Sequence, residues 1–110
     1  MRRSKTTNTL VIISDHTKGI YRDKWIKGVL HYTGMGKSGD QDICRAQNAT
    51  LANCESNGVD VHLFEVVDAR EYIYRGRVKL VSKPYTEMQI GEDGNNRKVW
   101  MFPVGVVSND

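Results

Sequence analysis

The sequence predicts an α+β domain that is mainly β: a curled sheet or barrel with one main helix packed on it. Three observations carry that expectation. Strand-length runs rich in β-branched and aromatic residues recur from Thr9 to Val106. Only one segment repeats its apolar residues at helical spacing, and clusters of Gly, Asn and Asp punctuate the rest. At 110 residues there is room for one domain and one core, residues 1–110, with no internal repeat or dividing linker.

Residues 1–8 are polar and are expected to be frayed or disordered. Thr9–Asp15 is a continuous β-branched run and reads as a buried strand, followed by a turn at Lys18-Gly19. Ile20 to Lys27 has no clear period and reads as an irregular loop carrying Tyr21, Asp23 and Trp25. Gly28 leads into the short strand Val29–Thr33, which Gly34-Met35-Gly36 stops; Gly36 to Asp40 reads as a mobile loop. Asp40 or Asp42 can cap a helix beginning near Ile43, because Ile43, Ala46, Gln47, Thr50, Leu51 and Cys54 recur at helical spacing before Asn57-Gly58. From Val59 the pattern is all strand: Val59–Val67, Glu71–Val81, an edge strand at Pro84–Ile90, a turn at Glu92–Asn96, and Arg97–Val106. In the second of these, Tyr72, Tyr74, Val78 and Leu80 alternate onto a core face, and Arg75, Arg77 and Lys79 onto the other.

Composition removes several function classes. Hydrophobic residues at 39% and charged residues at 26% form an ordinary globular balance, against disorder. No apolar run approaches the roughly 20 residues of a membrane span. The basic start Met1-Arg2-Arg3-Ser4-Lys5 lacks a cleavage site, so a soluble, cytoplasmic chain is expected. Cys44 and Cys54 are too few for a disulfide framework and read as reduced thiols in the helical segment. With His16, His31 and His62 they show no zinc-like spacing, so neither metal nor cofactor is expected. No nucleophile elbow, phosphate loop or metalloprotease motif is present, and the chain reads as a binder without catalytic residues. The net charge of +3 leans toward a polyanion.

Four segments carry a sharper signal together than apart. Tyr32-Thr33-Gly34-Met35-Gly36 leads through Gly39-Asp40-Gln41 to Gln47-Asn48-Ala49-Thr50-Leu51-Ala52-Asn53-Cys54. Gly58–Val66 follows, then Glu71-Tyr72-Ile73-Tyr74-Arg75-Gly76. This order, over roughly residues 20–81, resembles the SET and RING finger-associated (SRA, or YDG) domain of the PUA-like superfamily, in its short bacterial restriction-associated form. The resemblance implies a PUA-like β-barrel that binds double-stranded DNA carrying 5-methylcytosine or 5-hydroxymethylcytosine and flips that base into a pocket. It further implies the recognition module of a modification-dependent restriction system. Any nuclease, of the HNH kind, would lie in a fused or associated domain.

A flipped base loses stacking and recovers it between aromatic faces. By motif position Tyr32 supplies one wall and Tyr21 or Trp25 the other. Cytosine presents an exocyclic amino donor, which calls for a carboxylate, and Asp23 resembles the family's pocket aspartate. Thr33 and the Gly34 backbone complete the polar edge. Met35, Lys37, Ser38 and Gln41 form a candidate DNA-contacting loop, with Gln41 placed to satisfy the orphaned guanine; the family's longer finger insertion is absent. Arg75, Arg77 and Lys79 are candidate phosphate contacts. Asn48 and Leu51 hold the helix against the loop, and Tyr72 and Tyr74 are expected in the core. The sequence departs from the family pattern at Arg75, where the family has Asp, and at Cys54, where Ser is usual. Two alternatives stay open: a PUA-like RNA-binding module without base flipping, and a small-molecule or protein-interaction domain.

Overall fold

The structure, a computed structural model, describes residues 1–17 and 21–107. Its strands are β1 (Arg2–Ser4), β2 (Thr9–Asp15), β3 (Lys24–Ile26), β4 (Val29–Thr33), β5 (Asp60–Asp68), β6 (Glu71–Leu80), β7 (Tyr85–Ile90) and β8 (Asn96–Val106). One helix, α1 (Ala46–Ala52), lies between β4 and β5. The strands form one sheet in the order β1-β2-β5-β6-β8-β4-β3, and β7 pairs with β8. Every pair is antiparallel except β2 with β5, because the β3–β4 hairpin and α1 make the crossover between them. Strand β8 is the organiser: β4 lies along one edge, while β7 and then β6 share the other.

Inward residues of these strands make one core. Leu10 and Ile12 of β2, Leu30 and Tyr32 of β4, Val61 and Leu63 of β5, Val78 and Leu80 of β6, and Phe102 and Val104 of β8 enclose Leu51 of α1. Each such aliphatic or aromatic side chain contributes roughly 1.5–3 kcal/mol by leaving water. No helix among the described residues is long and apolar enough to cross a membrane.

Several expectations change. The sheet is not closed into a barrel: among the described residues no ladder joins the β1–β2 end to the β4–β3 end. Residues 2–4 are not frayed but pair with β2, and the Arg3 guanidinium bonds the Thr9 carbonyl (3.1 Å) and Asn8 Oδ1 (2.7 Å). The supposed loop before β4 contains β3, because Lys27-Gly28, both at positive φ, make the tight turn that folds it onto β4. The helix starts at Ala46 with no side-chain cap; Asp42 instead accepts from the Cys44 N–H in a preceding turn, and Cys44 and Cys54 flank the helix. The turn at Lys18-Gly19 lies outside the described residues.

The largest correction concerns β6. Its register with β5 slips between Leu63↔Gly76 and Phe64↔Tyr74, leaving Arg75 as the extra residue of a β-bulge. Simple alternation across that point therefore fails. Val78 and Leu80 face the core, but Tyr72 and Tyr74 are 61% and 53% exposed. Tyr74 packs on Phe64 across the outer face, ring centroids 5.0 Å apart.

Candidate nucleic-acid interface

The unclosed sheet leaves a seam between β2 and β4, and polar side chains bridge it. The Tyr32 hydroxyl reaches the Ile13 carbonyl (3.4 Å), and Ser14 Oγ donates to Asp23 Oδ2 (2.6 Å). Asp23 Oδ1 accepts from the Thr33 N–H (2.6 Å). A cavity of about 80 Å³ opens there, lined by Met1, Ile13, Tyr21, Asp23, Tyr32, Thr33, Gly34 and Met35. That is several times the space one ordered water needs.

Five of the six residues expected at a base pocket thus share one cavity: Tyr21, Asp23, Tyr32, Thr33 and Gly34. Trp25 does not. It is 40% exposed and points its indole N–H at Glu65 (2.9 Å). Burial pushes the Asp23 carboxyl up, and the bonds from Ser14 and Thr33 only partly offset this, leaving it above the ordinary aspartate value. Burial also pushes the Tyr32 phenol up, with the Asp23 charge adding to the effect, so Tyr32 stays a neutral ring with a donor. The Thr33 hydroxyl also bears on Asp23, and it accepts from the Gln89 amide (3.4 Å) and lies 3.6 Å from the Met101 sulfur.

Behind the cavity lies a buried carboxylate that carried no expectation. Glu65 accepts from His16 Nε2 (2.7 Å), Trp25 Nε1 (2.9 Å) and Arg75 Nε (2.6 Å). Burial pushes its carboxyl up, but those three donors and the Arg75 charge together outweigh burial and hold it below the ordinary value. The bulge is what brings Arg75 to it. Where the family pattern has an acid, this chain therefore has a base whose partner is the acid Glu65. A signal for Ser14 and Glu65 existed in the sequence: both are polar residues in step with core positions, Leu10 and Ile12 in β2, Val61 and Leu63 in β5.

The 34–42 segment is tied down rather than loose. Gln41 is buried; its amide nitrogen donates to the carbonyls of Gly34 (2.6 Å) and Gly36 (3.1 Å), and its oxygen accepts from the Trp100 N–H (2.9 Å). With its amide so engaged, Gln41 is a brace and not a free side chain for an orphaned guanine. Asn48 clamps Met35 from the helix through both its amide atoms. The buried Arg97 guanidinium donates to the Gly36 carbonyl, and Asp40 accepts from the Lys98 N–H (2.8 Å). A Cβ on Gly34 would lie 2.8 Å from Asn48 Oδ1 and 3.0 Å from the Phe102 ring, so only glycine fits this approach. Lys37 and Ser38 remain exposed on the loop, and Met35 half-buried at the cavity.

The three basic residues of β6 do not act as one face. Arg75 is committed to Glu65, Arg77 reaches Asp60 (3.5 Å), and Lys79 is exposed opposite Gly105. Among the described residues no three His, Cys, Asp or Glu side chains converge as metal ligands would.

A family model described as the SRA domain of ScoMcrA-like proteins matches residues 3–110. No curated protein matches the sequence. Among solved structures, the sulfur-binding and SRA domains of ScoMcrA complexed with phosphorothioated DNA superpose with a TM-score of 0.75 at 23% identity, over 90% of this chain and 30% of that one. The SUVH5 SRA domain complexed with fully methylated CG DNA gives 0.65 at 24% identity, over 91% and 65%. The modification-dependent restriction endonuclease TagI gives 0.62 at 23% identity, over 91% and 38%. The chain thus spans about a third of the ScoMcrA structure and of TagI, and under two thirds of the SUVH5 chain.

Proposed function

This chain belongs to the ScoMcrA-like SRA domain family, and from that premise we propose that it binds double-stranded DNA carrying a modified cytosine and flips that base into the seam cavity. The modification is 5-methylcytosine or 5-hydroxymethylcytosine. The observation that carries this reading is the convergence of Tyr21, Asp23, Tyr32, Thr33 and Gly34 on one cavity at the seam. Tyr21 and Tyr32 are the two walls between which an extruded ring regains its stacking, worth about 1–3 kcal/mol. Asp23 accepts from the exocyclic amino group. Met1, Ile13 and Met35 supply the apolar side that receives a 5-methyl group. Lys37 and Ser38, exposed on the loop that follows Met35, meet the duplex, and the exposed Lys79 of β6 approaches a phosphate.

On this reading the chain is a cytoplasmic recognition module without catalytic residues, serving a restriction system whose nuclease is a separate domain. The RNA-binding alternative lacks support, since the ScoMcrA and SUVH5 structures hold DNA. Binding to paired duplexes, identical except for one modified cytosine, at constant salt tests the proposal. A preference of ten-fold or more for the modified duplex, lost in Asp23→Asn and Tyr32→Ala, is expected, with 2-aminopurine beside the target brightening on binding. Equal affinity for both duplexes overturns it.

A further inference from the structure

Resting on that base-pocket reading, we propose that Ser14, His16 and Glu65 are positioning residues for Asp23: a hydrogen-bonded chain that holds its carboxylate as the acceptor for an extruded base. The links are continuous. Glu65 Oε2 lies 2.7 Å from His16 Nε2, the same nitrogen lies 3.4 Å from Ser14 Oγ, and Ser14 Oγ lies 2.6 Å from Asp23 Oδ2. Carboxylates at both ends accept only, so a single polarity satisfies the chain. Ser14 gives its proton to Asp23, and its oxygen then accepts from a His16 N–H shared with Glu65. Glu65 is itself fixed by Trp25 of β3 and Arg75 of β6, on opposite sides of the seam.

Among the described residues, Ser14 and His16 face Asp23 from β2 and the residue after it, Tyr32 and the Thr33 N–H and hydroxyl from β4, and Tyr21 lines the same cavity. Ser14 is fully buried, so its hydroxyl rather than bulk water supplies this bond. Without that donor the Asp23 carboxylate is buried with one support fewer and takes up a proton at higher pH. A protonated carboxyl turns a donor toward the donor amino group of the base, and recognition is lost. Replacing Ser14 therefore changes the pH profile of binding, which a packing defect alone does not do.

The test measures affinity of the 110-residue chain for duplexes with and without one 5-methylcytosine, from pH 8 to pH 6. Wild type, Asp23→Asn, Ser14→Ala, Ser14→Thr, His16→Gln and Glu65→Gln are compared, with thermal melts confirming that each is folded. Asp23→Asn is expected to remove the preference at every pH. Ser14→Ala is expected to weaken modified-duplex binding roughly ten-fold at neutral pH, with the loss deepening toward pH 6. Ser14→Thr restores the wild-type profile, and His16→Gln shifts it in the same direction as Ser14→Ala by less. Glu65→Gln behaves likewise if it folds; if it does not, the Ser14 and His16 variants decide. A wild-type preference and pH profile in Ser14→Ala, with Asp23→Asn defective, overturns the relay alone. An unchanged preference in Asp23→Asn overturns the pocket reading and the relay with it.

Discussion

The wall of β5, β6 and β8 and the seam between β2 and β4 are held by different forces. In the wall, backbone ladders join every neighbour, and Leu63, Val78 and Val104 bury apolar surface against one another. Across the seam no ladder forms among the described residues, and closure falls to the side chains of Tyr32, Asp23, Ser14, Trp25 and Glu65. Ladder and burial are cooperative and indifferent to what binds. Side-chain bridges are individually weak, desolvated and polar, the properties a selective pocket needs. On the proposed function, the difference teaches that this sheet separates stability from recognition by geography.

Substitutions can break or sharpen that separation. Leu63→Ala in the wall is expected to cost roughly 2–5 kcal/mol in denaturant unfolding, with the DNA preference of the folded fraction intact. A cost under 1 kcal/mol would blur the contrast. Gly34→Ala, at the point where loop, helix and wall meet, is expected to cost about 1–3 kcal/mol by overpacking and, unlike Leu63→Ala, to weaken DNA binding as well. Glu65→Gln is expected to cost about 1.5 kcal/mol at pH 7, visible as a lower melting temperature.

That last effect has a defined pH window. Because Glu65 sits below the ordinary glutamate value of 4.5, its contribution is fully present above that value and is lost as pH falls through its lower folded value. Wild type and Glu65→Gln should therefore converge in acid. Asp23 runs the opposite way: held above 3.8, its ionisation costs stability that appears as pH rises from there through its folded value. Smallest of all, Tyr32→Phe is expected to change stability by about 0.5 kcal/mol, since its bond to Ile13 is long at 3.4 Å. It should leave stacking, and hence base preference, largely in place.

How much of this was legible beforehand differs between the two regions. The strands of the wall follow from β-branched runs and turn residues, and appear within a residue or two of their expected bounds. The seam is harder, because it depends on contacts between residues far apart in sequence. Tyr32, Asp23, Thr33 and Gly34 were marked by their motif, yet no pattern could choose Tyr21 over Trp25 as the cavity's second aromatic; the link from Trp25 to Glu65, 40 residues away, decides it. The bulge at Arg75 was invisible for a related reason. Alternation assumes an unbroken register, and one unpaired residue sends Tyr74 outward. A polar residue beside a glycine-rich loop reads as exposed, whereas three backbone groups draw Gln41 inside.

The seam also bears on how this domain stays apart from its own copies. A strand edge with unpaired carbonyls is a template on which another chain can add a strand. Strand β1 covers β2 only as far as Val11, and beyond it the Ile13 carbonyl is capped by the Tyr32 phenol while Asp23 stands beside Ser14. The residues that shape the pocket thus serve as guards of an open edge, and a charge among them discourages intruders. Emptying the pocket by Tyr32→Ala combined with Asp23→Ala exposes that edge, so self-association rising with concentration is the expected companion of lost DNA recognition.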